Sequence, residues 1–133
     1  MNWRAWLYTR LTNNASLTAL VPADRIHAAG SLEWREAARP FIVVRLGVDN
    51  PELNEADAPH VTAQDAAVWV HDDPGSYKRI DEILTAVRHA VAGQVTETGG
   101  IACMWQGDSA ELSDPDQGTI VRNTTYRLFG GAA

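Results

Sequence analysis

The chain has 133 residues, 45% apolar and 21% charged, which fits one globular domain and excludes a disordered chain. Its single cysteine, Cys103, excludes an intrachain disulfide and a multi-cysteine zinc site. Eleven basic against seventeen acidic residues leave a net charge of −6, which argues against a domain that clamps a nucleic-acid backbone.

From Asn2 to about Thr12, Trp3, Trp6, Leu7 and Leu11 follow helical spacing and predict a first helix. Asn14 then caps a short turn carrying Leu17, Leu20 and Val21, and Pro22 stops it. Residues 25–28 read as a short edge strand. Pro40 opens a strand over Phe41–Leu46, closed by Gly47, and a second strand runs from about Val61 to His71. Asp73-Pro74-Gly75-Ser76 reads as a turn with Asp73 as helix cap. Tyr77, Ile80, Leu84, Val87 and Val91, widened by Ile83, predict the strongest helix, and Gly93 ends it. A third strand covers Ile101–Gln106, and a fourth runs from Thr119 to Phe129, with Ile120, Tyr126 and Leu128 on one face. The order predicts a single α+β domain over residues 1–133. Its core is a mainly antiparallel four-stranded sheet, with the short edge strand as a fifth and two main helices packed on it.

The first two strands are apolar on both faces. Phe41 and Val43 oppose Ile42, Val44 and Leu46, while Ala66, Val68 and Val70 oppose Ala67 and Trp69. Either the helices lie on opposite sides, or a second copy of the chain covers the remaining face. Trp3, Trp6 and Trp69 read as core. Trp34, beside Arg35 in a charged loop, is the expected intersubunit anchor, with Phe41, Val43 and Trp69 as further interface candidates.

The acids concentrate in two stretches without a base: Asp49, Glu52, Glu55 and Asp57 in residues 47–60, and Asp108, Glu111, Asp114 and Asp116 in residues 107–118. The rest of the chain holds eleven bases against nine acids. The two stretches are either solvated loops or acidic tips facing a partner or a channel.

Signs of catalysis are few. No phosphate-binding glycine loop, HExxH or GxSxG occurs. Gly107-Asp108-Ser109 resembles an esterase nucleophile block but lies late in the chain, in an acidic loop. His71-Asp72-Asp73 is the best metal-like cluster, yet adjacent strand residues point to opposite faces and do not share one ion without a bend. Cys103 reads as a small buried hydrophobe. No catalytic, cofactor or metal residue is expected. No apolar run reaches the roughly 18 residues of a membrane span. The opening Met1-Asn2-Trp3-Arg4 lacks a signal-peptide stretch, so a cytoplasmic product is expected.

Four segments in order resemble the tail terminator (tail completion) proteins of long-tailed bacteriophages. They are the N-terminal helix leading into Leu17–Val21 and Asp24-Arg25-Ile26, the strand Arg39–Val44, the block Val68–Asp72 with Pro74–Tyr77 and Ile80-Asp81, and the closing strand Val121–Arg127. The resemblance implies a virion protein, assembled in the host cytoplasm, that forms a homohexameric ring. Such a ring caps the tail tube, ends its growth and offers a surface to the head connector. Its partners would be the tail tube protein and the head-tail connector, and DNA would pass through the channel without specific binding. A head-completion or neck ring protein is the near alternative. A small cytoplasmic enzyme using His71, Asp72 and Asp73, or a ligand-binding module, stands further off.

Overall fold

The computed structural model describes residues 3–28, 37–49, 61–93 and 102–131. Helix α1 (Trp3–Thr12) forms because Trp3, Leu7 and Leu11 line one stripe, and all three are buried. It stops at the Asn13-Asn14 pair. The Asn14 side chain accepts a hydrogen bond from the Leu17 amide at 3.0 Å and caps the four-residue α2 (Ala15–Thr18). Leu17 and Val21 then drop into the core. A single turn of 3-10 helix at Ala23–Arg25 leads into β1 (Ile26–Ala28), which runs parallel to β2 (Phe41–Asp49).

β2 pairs antiparallel with β3 (Val61–Asp72), which pairs antiparallel with the closing strand β6 (Thr119–Gly131). On the far side of β6 lie β4 (Ala102–Asp108) and β5 (Leu112–Asp114), both antiparallel to it. The sheet therefore has six strands in the order β1-β2-β3-β6-β4, with β5 also on β6. The fold is α+β and mainly antiparallel, as expected, but larger than four strands. The unforeseen strand is β5, which lies inside the second acidic stretch where a plain loop was expected. It is three residues long and polar, so hydrophobic alternation carries no signal for it.

The second acidic stretch is fastened rather than loose. Asp114 Oδ1 accepts from the amides of Asp116 and Gln117 at 3.1 and 3.2 Å, and Gly118 takes φ 68°, a left-handed turn that favours glycine. The Arg39 guanidinium clamps the turn from outside. It donates to the carbonyls of Gln117 (2.6 Å) and Gly118 (3.2 Å) and to the Asp73 carboxylate (3.1 Å). Asp73 is thus an ion-pair partner and not the helix cap that the sequence suggested. Helix α3 (Lys78–Val91) has no side-chain cap from its N-cap residue, Tyr77, although Ser76 Oγ accepts from the Lys78 amide at 3.2 Å.

α3 buries Ile80, Ile83, Leu84, Val87 and Val91 of the predicted stripe, with Ala90 added, while Tyr77 is its half-buried N-cap residue. Gly93, at φ 71°, ends it and donates its amide to the Cys103 carbonyl at 2.7 Å, tying the helix end to β4. All three helices share one core with Ile42, Val44, Ala66, Val68, Val70, Cys103, Tyr126 and Leu128. They therefore lie on one face of the sheet. Each fully buried Leu, Ile or Val there contributes about 1.5–3 kcal/mol from loss of contact with water.

The opposite face is not left as open as its composition suggests. Phe41 and Val43 are fully buried within the single chain. Of the two alternatives, helices on opposite sides is not the arrangement adopted, and Phe41 and Val43 themselves have no exposed surface left for a second copy to cover. β2 also runs past Gly47, and its register with β3 shifts between Leu46 and Asp49. A Cβ on Gly47 would stand 3.2 Å from the Asp65 Cβ, so glycine permits the close crossing there. No helix among the described residues is long and apolar enough to cross a membrane.

Candidate functional site

The face that carries no helix is built by strand alternation. Register places Phe41 beside His71, Val43 beside Trp69, Arg45 beside Ala67, and Asp65 beside Arg127. At one end this face is closed. His71 stacks on Phe41 with ring centres 4.6 Å apart, the His27 ring meets Phe41 edge-on at 6.2 Å, and His71 Nδ1 lies 2.9 Å from Thr119 Oγ1. Burial brings the His71 imidazole down to about 4. Asp114 opposes that shift, while Arg45 and Arg39 add to it.

Further along, the face opens into a groove of about 520 Å³. Gly47, Ala67 and Thr125 keep it shallow, the half-buried Trp69 forms a wall, and Arg45, Gln106 and Arg127 stand around it. Arg127 Nε donates to Asp65 Oδ1 on the adjoining strand at 2.9 Å. The neighbouring edge exposes Met104 by 54% and Trp105 by 43%. Met104, paired with Arg127, borders the groove, whereas Trp105 turns to the helical side, where its indole N–H donates to Asp108 Oδ1 at 3.0 Å and the Arg88 guanidinium of α3 lies 4.2 Å from its ring centre. A shallow groove with the half-buried Trp69 ring at its wall and charged and polar side chains around it is the anatomy of a contact patch.

The chemically reactive side chains are dispersed. Asp72 points to the helical face, where Arg79 grips it from Nε (2.7 Å) and Nη2 (2.5 Å), while its neighbour His71 lies on the opposite face and Asp73 joins Arg39. The three therefore do not form one site. Among the described residues no group of three His, Cys, Asp or Glu side chains is arranged to hold a metal ion. Ser109 Oγ donates to the Ala110 carbonyl and accepts from the Asn123 amide, which makes it a strand tie. Cys103 is buried, and burial pushes its thiol up to about 12.

Of the expected interface residues, Trp69 lines the groove, Phe41 and Val43 are enclosed, and Trp34 and Arg35 lie outside the described residues. Asp49 ends β2, while Glu52, Glu55 and Asp57 lie outside the described residues. In the second acidic stretch Asp108 and Asp114 serve local bonds, and Glu111 and Asp116 are exposed. The sequence reading missed Met104 and Trp105. The signal was present, since β4 carries apolar residues on both sides of an edge strand. Trp6, read as core, is only half-buried and lines a second groove.

The whole architecture matches a solved chain described as "Virion of native gene transfer agent (GTA) particle", with a TM-score of 0.68 and 17% sequence identity. The match covers 95% of this chain and 92% of that one. It is a likeness of fold. No family model matches the sequence, and no curated protein matches it.

Proposed function

We propose that the chain is a structural protein of a phage-type particle and acts as a tail terminator: a ring, hexameric by the family resemblance, that caps the tail tube and receives the head connector. The observation that carries the reading is the fold match to a chain of a virion particle over nearly the full length of both proteins. The four ordered segments that resemble tail terminators support the same assignment from an independent direction. The site agrees in kind, since it consists of a mixed-polarity contact surface, and the ionisable groups His71, Asp72 and Asp65 are dispersed and each held by a local partner. A closed ring requires two different patches on each subunit, and the groove on the open sheet face is one.

The absolute mass of the protein, alone and mixed with the tube protein of the same particle, tests this reading. A ring on the tube, with tubes of uniform length, is expected. A chain that stays monomeric in the mixture and leaves tube length unchanged refutes it. Binding to the head connector without binding to the tube would instead assign the protein to the neck. The first acidic stretch is proposed to face the channel, where its charge repels passing phosphates. Reversing Asp49, Glu52, Glu55 and Asp57 together should then slow DNA ejection, and ejection at the normal rate would contradict that placement.

A further inference from the structure

The corner of the sheet where β2, β3 and β6 meet encloses an imidazole that takes no part in the groove. His71, 4% exposed, has two walls of unequal strength. One is Phe41, fully buried and stacked on the ring, on a strand that is paired on both sides, by β1 and by β3. The other is Thr119, the first residue of β6, whose buried Oγ1 lies 2.9 Å from Nδ1. Thr119 follows directly on the turn that joins β5 to β6. β5 is three residues long, exposes Leu112 and Ser113, and pairs with β6 alone. Two side chains fasten this segment from outside: Arg39, on the carbonyls of Gln117 and Gly118, and Tyr77, whose hydroxyl donates to the Leu112 carbonyl at 2.6 Å.

The charges around the corner disfavour a second cation. Arg45 of β2 and Arg39, ahead of β2, act against a protonated His71, and Asp114 of β5 acts for it. His27 of β1 reaches the corner only through the edge of Phe41. Asp114 is the one carboxylate in this set, and its Oδ1 already accepts from the amides of Asp116 and Gln117. A proton on His71 thus leaves a cation enclosed beside two arginines, and hydrating it requires one wall to open. Opening the Phe41 wall breaks a strand from the middle of the sheet. Opening the Thr119 wall lifts a short segment from its edge, and it also moves backbone that Arg39 holds in the same corner.

We infer that residues 112–119 form an acid-released latch: protonation of His71 parts it from Thr119 and frees β5 and the turn into β6, while β2, β3 and α3 stay folded. Release uncovers the edge of β6 over Thr119–Val121, which β5 otherwise pairs.

Native-state amide hydrogen exchange of the full chain tests this at pH 7 and pH 5, each without urea and in about 1 M urea. Rates are corrected for the intrinsic exchange rate at each pH. The ring titrates at about 4 when enclosed against an ordinary 6.5 when freed. Protection of the amides of residues 116–120 should therefore fall about twentyfold from pH 7 to pH 5. That exchange should depend little on urea, whereas the α3 amides should keep the steep urea dependence of global unfolding. His71→Asn should abolish the pH-linked fall, and His27→Asn should leave it in place. Thr119→Val, which keeps the bulk and removes the hydroxyl, should lower protection of the same amides about fivefold already at pH 7. Circular dichroism verifies folding, and His71→Gln replaces His71→Asn if the latter unfolds. Exchange of residues 116–120 at pH 5 with the urea dependence of α3 would overturn the latch, because the segment would then open only with the whole fold. So would protection that rises at pH 5, as the imidazolium closes on Asp114, or a fall that survives replacement of His71.

Discussion

His71 makes the stability of this fold dependent on acid. Its imidazole is 4% exposed, stacked on Phe41 and bonded to Thr119, and its folded-state value is about 4 against an ordinary 6.5. The depressed value means that the native state holds the neutral ring. Above about pH 6.5 both folded and unfolded chains carry it neutral, and no stability is lost. Below that point the unfolded chain takes up a proton that the folded chain refuses, so stability falls until the folded ring also titrates near pH 4. Linkage gives a loss of about 2 kcal/mol between pH 7 and pH 5 from this group alone. Urea unfolding at the two pH values reads that loss as a midpoint drop of about 1 M. His71→Asn keeps a polar atom near Thr119 but does not titrate. It should be less stable than the parent at pH 7 and should lack most of the parent's drop at pH 5. An equal pH 7 to pH 5 loss in parent and variant would refute the assignment to His71.

Leu7→Ala, at a fully buried position of α1, should cost about 3 kcal/mol in urea unfolding, whereas Tyr8→Ala, on the exposed side of that helix, should stay within about 0.5 kcal/mol. Arg39→Ala removes the contacts that fasten the β5–β6 turn, and amide hydrogen exchange at residues 116–119 should quicken about tenfold while the α3 amides are unchanged. Cys103, with its thiol raised to about 12 and its side chain buried, should resist alkylation at pH 8 in the native protein and react fully in urea. Rapid native alkylation would place the thiol at the surface.

The periodic elements were legible from residues alone. The α3 stripe, the Asn14 cap, the long strand pairing and the two-faced polarity of β6 follow from local patterning, because burial on one side imposes a repeat of 3.6 or 2. Adjacent strand residues point apart, so the separation of His71 from Asp72 was also readable. Three matters needed the assembled chain. β5 is polar and short, and it exists because Val121 and Ile120 of β6 offer it backbone partners. The side on which α1 packs depends on contacts with β1 and β2, which no local repeat encodes. The pattern showed that Phe41 and Val43 face away from Ile42 and Val44 but could not show that they are enclosed. Enclosure depends on what the rest of the chain brings across that face. For the same reason Trp6 read as core from its spacing, while the fold leaves it half-buried beside a groove with its N–H unpaired.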